Sequence, residues 1–126
     1  MEKQIVTQHT AIYSNENSWS LLKSGLVKLN PTKVFILMDT NTHEHCYELF
    51  LERAGIKISV ETIIIPSGEI NKTIYTCMDI WTTLSEKGAD RSSLLINLGG
   101  GVVTDLGGFV ASTFKRGIAF VTVSYT

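Results

Sequence analysis

Three consecutive glycines, Gly99, Gly100 and Gly101, are the most informative chemical feature of this 126-residue sequence. They follow an apolar run (LLINL, residues 94–98) and precede a predicted helix, so they lie at a strand-to-helix turn. Glycines at such a turn let the backbone approach a ligand closely, and the free N–H groups of a helix N-terminus attract an anion. The turn therefore predicts a pyrophosphate site, although Thr104 departs from the usual G-x-G-x-x-G spacing. The alternative is a tight turn that binds nothing.

Further polar residues follow two other apolar runs. Asp39 ends one run, where a carboxylate often holds ribose hydroxyls and disfavours a 2′-phosphate, so NAD is expected rather than NADP. A turn or cap residue is the alternative for Asp39. Asn41 is a candidate helix N-cap and forms a capping box with Glu44. Glu69 and Lys72 are three residues apart, so on spacing alone they form a weak surface pair.

The elements that must position these residues are visible as short runs of consecutive apolar residues. Continuous rather than alternating apolarity is typical of strands buried on both faces of a parallel sheet. Helical patterns lie between the runs, so the order is strand and helix in alternation. We expect an α/β fold with an open, mostly parallel, Rossmann-like sheet and helices on both faces. The predicted strands are residues 34–38, 62–65, 94–98 and 119–123, with a weaker candidate at 10–13.

The helix boundaries come from capping residues. Ser18 is the expected N-cap of the first helix, Gly55 ends the second and Gly88 follows the third. The fourth helix is expected over residues 101–115. It carries a stripe of small residues, which predicts that the sheet, a ligand or another domain packs very close to it: Thr104, Gly107, Gly108, Ala111 and Ser112. Its other face is apolar, so burial on both sides is expected. The expected core includes Met38, Cys77, Met78 and Trp81.

Composition excludes several classes of protein. Eleven Lys and Arg against twelve Asp and Glu give a net charge of −1, which argues against nucleic acid and lipid surfaces as partners. No apolar run approaches the ~18 residues of a membrane helix. Two cysteines and no visible signal peptide fit the cytoplasm. His43, His45 and Cys46 do not converge on a helix, so no metal site is expected in this chain.

Two longer motifs resemble one enzyme family. Residues 66–72 (PSGEINK) match a P-x-G-E-x-x-K pattern, and residues 99–111 (GGGVVTDLGGFVA) match G-G-G-V-x-x-D-x-x-G-F-x-A. Arg116, Gly117 and the D-x-N pair at residues 39–41 extend the likeness. Together these motifs resemble the 3-dehydroquinate synthases. Those enzymes have an N-terminal NAD-binding α/β domain and a helical zinc-binding C-terminal domain. The likeness covers only the first, and the last predicted strand ends three residues before the chain does, so we expect residues 1–126 to be a fragment.

The resemblance implies a role for each matching residue. Asp39 and Asn41 would hold the adenosine ribose, and Glu69 and Lys72 would contact ribose and neighbouring polar groups of NAD. The pyrophosphate would lie on Gly100, Gly101 and Val102, and Asp105 would lie near the nicotinamide ribose. The resemblance also places Ser67, Gly68 and Thr126 at the cofactor. Arg116 would help bind the substrate phosphate, either within one copy or across a dimer interface. The family's V-P-T-T is Val-Ser-Tyr-Thr here, so Ser124 and Tyr125 depart from it.

The activity that this implies is elimination of phosphate by a lyase. NAD-dependent conversion of 3-deoxy-D-arabino-heptulosonate 7-phosphate would give 3-dehydroquinate and phosphate, in the shikimate pathway of aromatic amino acid biosynthesis. Zinc or another divalent metal would come only with the missing C-terminal domain, the complete enzyme would be a homodimer, and the fragment alone would be inactive, with no catalytic residue of its own. The alternatives are another sugar phosphate cyclase, a glycerol-dehydrogenase-like NAD enzyme, or a non-catalytic nucleotide-binding or interaction module.

Overall fold

A computed structural model of the protein describes residues 3–7, 11–14 and 16–125, and it describes side chains over residues 19–123. One six-stranded sheet has the order β2-β1-β6-β5-β3-β4. The four strands β4, β3, β5 and β6 are parallel, whereas β1 is antiparallel to both β2 and β6. The strands are β1 (Lys3–Thr7), β2 (Ala11–Ser14), β3 (Val34–Asp39), β4 (Val60–Ile65), β5 (Leu94–Gly99) and β6 (Ala119–Tyr125).

Helices cover both faces of this sheet, which confirms the expected α/β architecture. Phe35 and Leu37 of β3 join the apolar cluster beneath α4 and α5, while Ile36 and Met38 join the cluster beneath α1 and α3. This alternation follows from the pleat of a strand, whose successive side chains point to opposite faces. The helices are α1 (Glu16–Leu29), α2 (Thr40–His45), α3 (Tyr47–Ala54), α4 (Ile74–Glu86) and α5 (Gly101–Thr113).

Three helix boundaries differ from the sequence prediction. Helix α1 begins at Glu16, so Ser18 lies inside the helix and the expected N-cap is wrong. The capping box of Asn41 with Glu44 is also wrong, because Asp39 is the N-cap of α2 and its side chain accepts the hydrogen bond from Thr42 N. The second predicted helix is two helices separated at Cys46, while its expected end at Gly55 is confirmed by a left-handed φ of 60°.

The buried face of α4 also differs from the prediction. Cys77, Ile80 and Leu84 are buried against the sheet, and this i, i+3, i+7 spacing leaves Met78 on an exposed side of the helix. Met78 is 51% exposed, so its assignment to the core is wrong. Trp81 is half-buried beside the core, and its indole N–H donates to Thr113 Oγ1 of α5.

Helix α5 is apolar but is not buried on both sides. Val103, Leu106 and Val110 are buried, whereas Asp105 and Phe109 are exposed, which contradicts the expected two-sided burial. The small-residue stripe packs on the sheet, where Gly107 meets the side chain of Asn97 in β5. Among the described residues, no helix is long and apolar enough to cross a membrane.

Sequence analysis missed strand β1, which lies between β2 and β6. The weak candidate at residues 10–13 corresponds to β2, and Thr10 lies outside the described residues. The antiparallel pair extends the parallel sheet beyond β6. The pairing of β1 depends on the far end of the chain, because Ile5 is paired in register with Ile12 of β2 and with Val123 of β6.

Candidate functional site

The candidate site lies at the carboxyl ends of two neighbouring strands, β3 and β5. Helices α2 and α3 follow β3 on one face of the sheet, and α5 follows β5 on the opposite face. After these two adjacent strands, the chain therefore crosses to opposite faces of the sheet. In open α/β sheets this switch point opens a crevice, and ligands bind there.

The glycine turn forms one wall of this crevice. A Cβ placed on Gly99 would lie 3.0 Å from Thr42 Oγ1 and 3.2 Å from Val103 Cβ, so β5, α2 and α5 meet too closely here for a side chain. In contrast, a Cβ on Gly100 or Gly101 would meet nothing within 4 Å. The backbone of those two glycines is therefore open on the side from which a ligand would approach.

The N-terminus of α5 starts at this open backbone. The N-cap is Gly100, which has no side chain with which to cap the helix. The first helical bond runs from Thr104 N to Gly100 O, so the preceding N–H groups, including those of Gly101 and Val102, have no helical acceptor. Such groups, together with the helix dipole, favour an anion. The geometry fits the predicted phosphate site.

Asp39 stands on the other wall, at the end of β3. Its Oδ1 accepts a hydrogen bond from Thr42 N at 2.8 Å, and the residue is half-buried. Asp39 therefore is the cap residue of α2, which was one of the two roles considered for it from the sequence. It uses one oxygen of the carboxylate. Thr42, which donates the bond, also lies close to Gly99 through its Oγ1 atom.

The loop that follows β4 is tied to the start of α2. Ser67 Oγ lies 2.7 Å from Thr40 Oγ1 and accepts a bond from Asn41 N at 3.2 Å. Gly68 has a φ of 115°, a conformation that favours glycine, and Asn71 Nδ2 donates to Ser67 O at 3.0 Å. These contacts place the PSGEINK segment beside the end of β3, as the predicted cofactor site requires.

Lys72 then connects this loop to α5. Its Nζ lies 2.7 Å from Asp105 Oδ2 and 3.7 Å from Glu69 Oε1, and the hydrogen bond to Asp105 is the main cause that raises the lysine pKa. Spacing had suggested a pair with Glu69, but the shorter contact is with Asp105, 33 positions away. A hollow of about 240 Å³ between α4 and α5 is lined in part by this pair. All three charged side chains lie at the same edge.

Arg116 is not brought to this edge. Helix α5 begins beside the glycine turn, spans 13 residues and ends just before Arg116, so its length of ~20 Å separates the two ends. Arg116 is exposed in the turn before β6, at the opposite edge of the sheet, with a φ of 69°. Within one copy it does not join the other candidate residues.

The last predicted site residue, Thr126, lies outside the described residues. Ser124 of β6 is in register with Gly99 of β5, so the departure from the family motif falls at the same edge as the glycine turn.

Sequence analysis missed Thr42, which is buried, donates its N–H to Asp39 and packs against the glycine turn. An Asp followed three residues later by a helical N–H is the N-cap pattern that could have identified it.

His43, His45 and Cys46 do not form a ligand set. His43 stacks on Tyr47 with ring centroids 5.5 Å apart, and His45 lies 3.8 Å from Glu44. No group of three or more His, Cys, Asp or Glu that could hold a metal ion occurs among the described residues.

Comparison with known proteins agrees with this geometry. A sequence profile described as 3-dehydroquinate synthase N-terminal matches residues 62–126, more than half of the chain. The chain belongs to this family. It is 44% identical over 107 residues to a 3-dehydroquinate synthase of Parabacteroides distasonis, covering 85% of this chain and 30% of the relative. It is 48% identical over 100 residues to that of Thermococcus kodakarensis, covering 78% and 28%.

The fold of this 3-dehydroquinate synthase N-terminal family member is also found among solved structures. A crystal structure of 2-deoxy-scyllo-inosose synthase, complexed with carbaglucose-6-phosphate, NAD+ and Co2+, superposes with a TM-score of 0.69 at 21% identity. The match covers 95% of this chain and 34% of that one. The chain thus spans about a third of the length of the proteins that it matches.

Proposed function

We propose that this chain is the NAD-binding part of a 3-dehydroquinate synthase. The observation that carries the proposal is the switch point between β3 and β5, where Asp39 ends one strand and the open backbone of Gly100 and Gly101 follows the other. One wall suits ribose hydroxyls and the other suits a pyrophosphate. Membership of the 3-dehydroquinate synthase N-terminal family supports the proposal.

The residues divide the cofactor between them. The N–H groups of Gly101 and Val102 hold the pyrophosphate, and Asp39 with Asn41 holds the adenosine ribose. A carboxylate beside that ribose repels a 2′-phosphate, so NAD is preferred over NADP.

The loop after β4 completes the cofactor site. Ser67 and Gly68 line it, Glu69 and Lys72 contact ribose and neighbouring polar groups, and Asp105 lies near the nicotinamide ribose. Because Lys72 pairs with Asp105, it offsets a negative charge close to the pyrophosphate.

The complete protein converts 3-deoxy-D-arabino-heptulosonate 7-phosphate to 3-dehydroquinate and phosphate, a step of the shikimate pathway. Bound NAD would supply reversible hydride transfer and, because the hydride is returned, would be regenerated in each turnover. This chain binds and orients the cofactor, and no metal site occurs among its described residues. The divalent metal binds in the remaining part of the protein. The complete protein works in the cytoplasm as a homodimer.

Calorimetric titration of the chain with NAD tests the cofactor part. We expect NAD to bind more tightly than NADP, and Asp39→Ala to weaken the binding of NAD. A folded chain that binds neither nucleotide would contradict the proposal.

Phosphate release by the complete protein tests the reaction. We expect release from 3-deoxy-D-arabino-heptulosonate 7-phosphate by the complete protein, and none by the 126 residues alone. Release only from other sugar phosphates would identify another cyclase. NAD binding without release from any of them would indicate a glycerol-dehydrogenase-like enzyme or a non-catalytic nucleotide-binding module.

A further inference from the structure

Asn97 is an unusual residue for the centre of a parallel sheet. It is fully buried in β5, between Ile96 and Leu98. Its Nδ2 and Oδ1 atoms have no hydrogen-bond partner in the part of the chain that the structure describes. Because buried polar side chains are nearly always hydrogen-bonded, this exception calls for a physical explanation.

Among the described residues, the carboxamide is held by its packing against helix α5 rather than by hydrogen bonds. It lies directly on Gly107 of α5, and a Cβ placed on Gly107 would overlap the Oδ1, Cγ and Nδ2 atoms of Asn97. In contrast, a Cβ on the next residue, Gly108, would lie 3.8 Å from the Phe120 ring, an ordinary contact. Helix α5 therefore lies so close to the sheet at Gly107 that an added Cβ would require the helix or the buried Asn97 side chain to shift.

This contact lies midway between two other points that hold α5. Near its N-terminus, Val103 lies against Gly99. Near its C-terminus, Ala111 O accepts a hydrogen bond from Ile118 N at 2.8 Å. A helix is stiff, so a displacement at Gly107 moves its first turn, which carries the N–H groups of Gly101 and Val102.

We propose that Asn97 and Gly107 are a positioning pair for the cofactor: the side chain of one and the bare backbone of the other set how deeply α5 lies on the sheet. That depth places the N–H groups of the first turn of α5 at the pyrophosphate of NAD. The inference rests on the proposed function, because it assumes that these groups bind the cofactor.

A double-mutant cycle tests the pair in this chain. Gly107→Ala is expected to raise the dissociation constant for NAD about tenfold, because its Cβ pushes α5 away from Asn97. Asn97→Ala combined with Gly107→Ala makes room for that Cβ and restores the constant to within about threefold of wild type. Asn97→Ala alone completes the cycle. Gly108→Ala is the matched control and stays within about twofold, since Phe120 leaves room for its Cβ.

The dissociation constant separates positioning from a purely structural role. Titrations are made well below the thermal transition of each variant, so that all protein is folded. If Gly107→Ala lowers the transition temperature but binds NAD as wild type does, the inference is wrong. It is also wrong if the double variant binds no better than Gly107→Ala.

Three outcomes decide the remaining cases. If Gly107→Ala does not fold, Asn97→Gln lengthens the same side chain against Gly107 and must weaken NAD binding more than Asn97→Ala does. If the folded wild-type chain does not bind NAD, the proposed function fails, and this inference fails with it. Wild-type binding with an unchanged Gly107→Ala variant overturns the inference alone.

Discussion

At the scale of single residues, Asp39 combines a structural and a proposed binding role. Its carboxylate caps α2 through Thr42 N, and the residue ends β3 at the switch point. Asparagine caps helices about as well as aspartate does, but it carries no charge. Substitutions at this one position can therefore separate the two roles.

We expect Asp39→Asn to keep most of the stability of the chain but to weaken NAD binding and to reduce the preference for NAD over NADP. Asp39→Ala should lose both, with about 1 kcal/mol of unfolding free energy lost with the cap. Chemical denaturation and calorimetric titration of both variants measure this. Equal nucleotide binding by Asp39→Asn and wild type would refute the ribose role of the charge.

Lys72 offers a second test at this scale. Its ion pair with Asp105 is solvent-exposed, so Lys72→Gln should change the unfolding free energy little. NAD binding should weaken, because the Asp105 charge is then no longer offset near the pyrophosphate.

Lys87→Gln is the matched control. Lys87 pairs with Glu61 at 3.0 Å with a similar exposure, 40% against 41% for Lys72, but it lies at the other edge of the sheet. Titration with NAD at two salt concentrations should show an effect for Lys72→Gln alone. Equal effects of the two substitutions would indicate only a general loss of positive charge.

At the scale of elements, the loop before β5 is tied to the loop before β3. Asp90 Oδ1 accepts hydrogen bonds from Thr32 Oγ1 at 2.7 Å and from Ser92 N at 2.9 Å. These bonds lower the pKa of the Asp90 carboxyl, and the bond from Thr32 is the largest cause. Both loops lie at the amino edge of the sheet, away from the candidate site.

The lowered pKa gives a pH dependence of stability. Because the folded chain favours ionised Asp90, its contribution is present above the ordinary pKa of about 3.9 and is lost as pH falls through the lower folded value. Asp90→Asn should therefore be less stable than wild type at neutral pH, and the two should converge in acid. Denaturation at several pH values measures this, with Asp79→Asn, an exposed site on α4, as the control. A difference that persists unchanged in acid would contradict the role of the charge.

At the scale of the whole molecule, the position of Arg116 sets a condition on the active site. One copy of the chain holds it at the edge opposite the glycine turn. If it binds the substrate phosphate, as the family motif implies, it must do so at the site of another copy. A dimer whose sites combine residues from two copies meets this condition.

Mixing inactive variants of the complete protein tests this arrangement. In a dimer of an Arg116→Ala copy with an Asp39→Ala copy, one site keeps Asp39 of the first copy and Arg116 of the second. We expect the mixture to regain up to about a quarter of wild-type activity after subunit exchange, while each variant alone stays low. The same Arg116→Ala protein mixed with itself is the control. If exchanged subunits regain no activity, Arg116 does not act across an interface.

Much of the fold could be predicted from local patterns. Residues 34–38 and 94–98 are continuous apolar runs, and both are buried strands, because burial on two faces leaves no position for a polar side chain except at Asn97. The end of α3 at Gly55 and the start of α5 at Gly101 were also correct, since local backbone geometry decides helix ends. The exposed position of Met78 was not predicted, because its apolar neighbours allow more than one helix face.

From the sequence alone we could predict the strand and helix types, the glycine turn and the motifs that resemble one enzyme family. Each depends on residues that are close in the chain. The folded structure was needed to show that β3 and β5 are neighbours and that Lys72 pairs with Asp105. It was also needed to show that Asn97 lies on Gly107 and that Arg116 lies at the far edge of the sheet. These relations depend on strand order and on the distance between a helix and the sheet. Both result from packing the whole chain at once, so no local period or spacing encodes them.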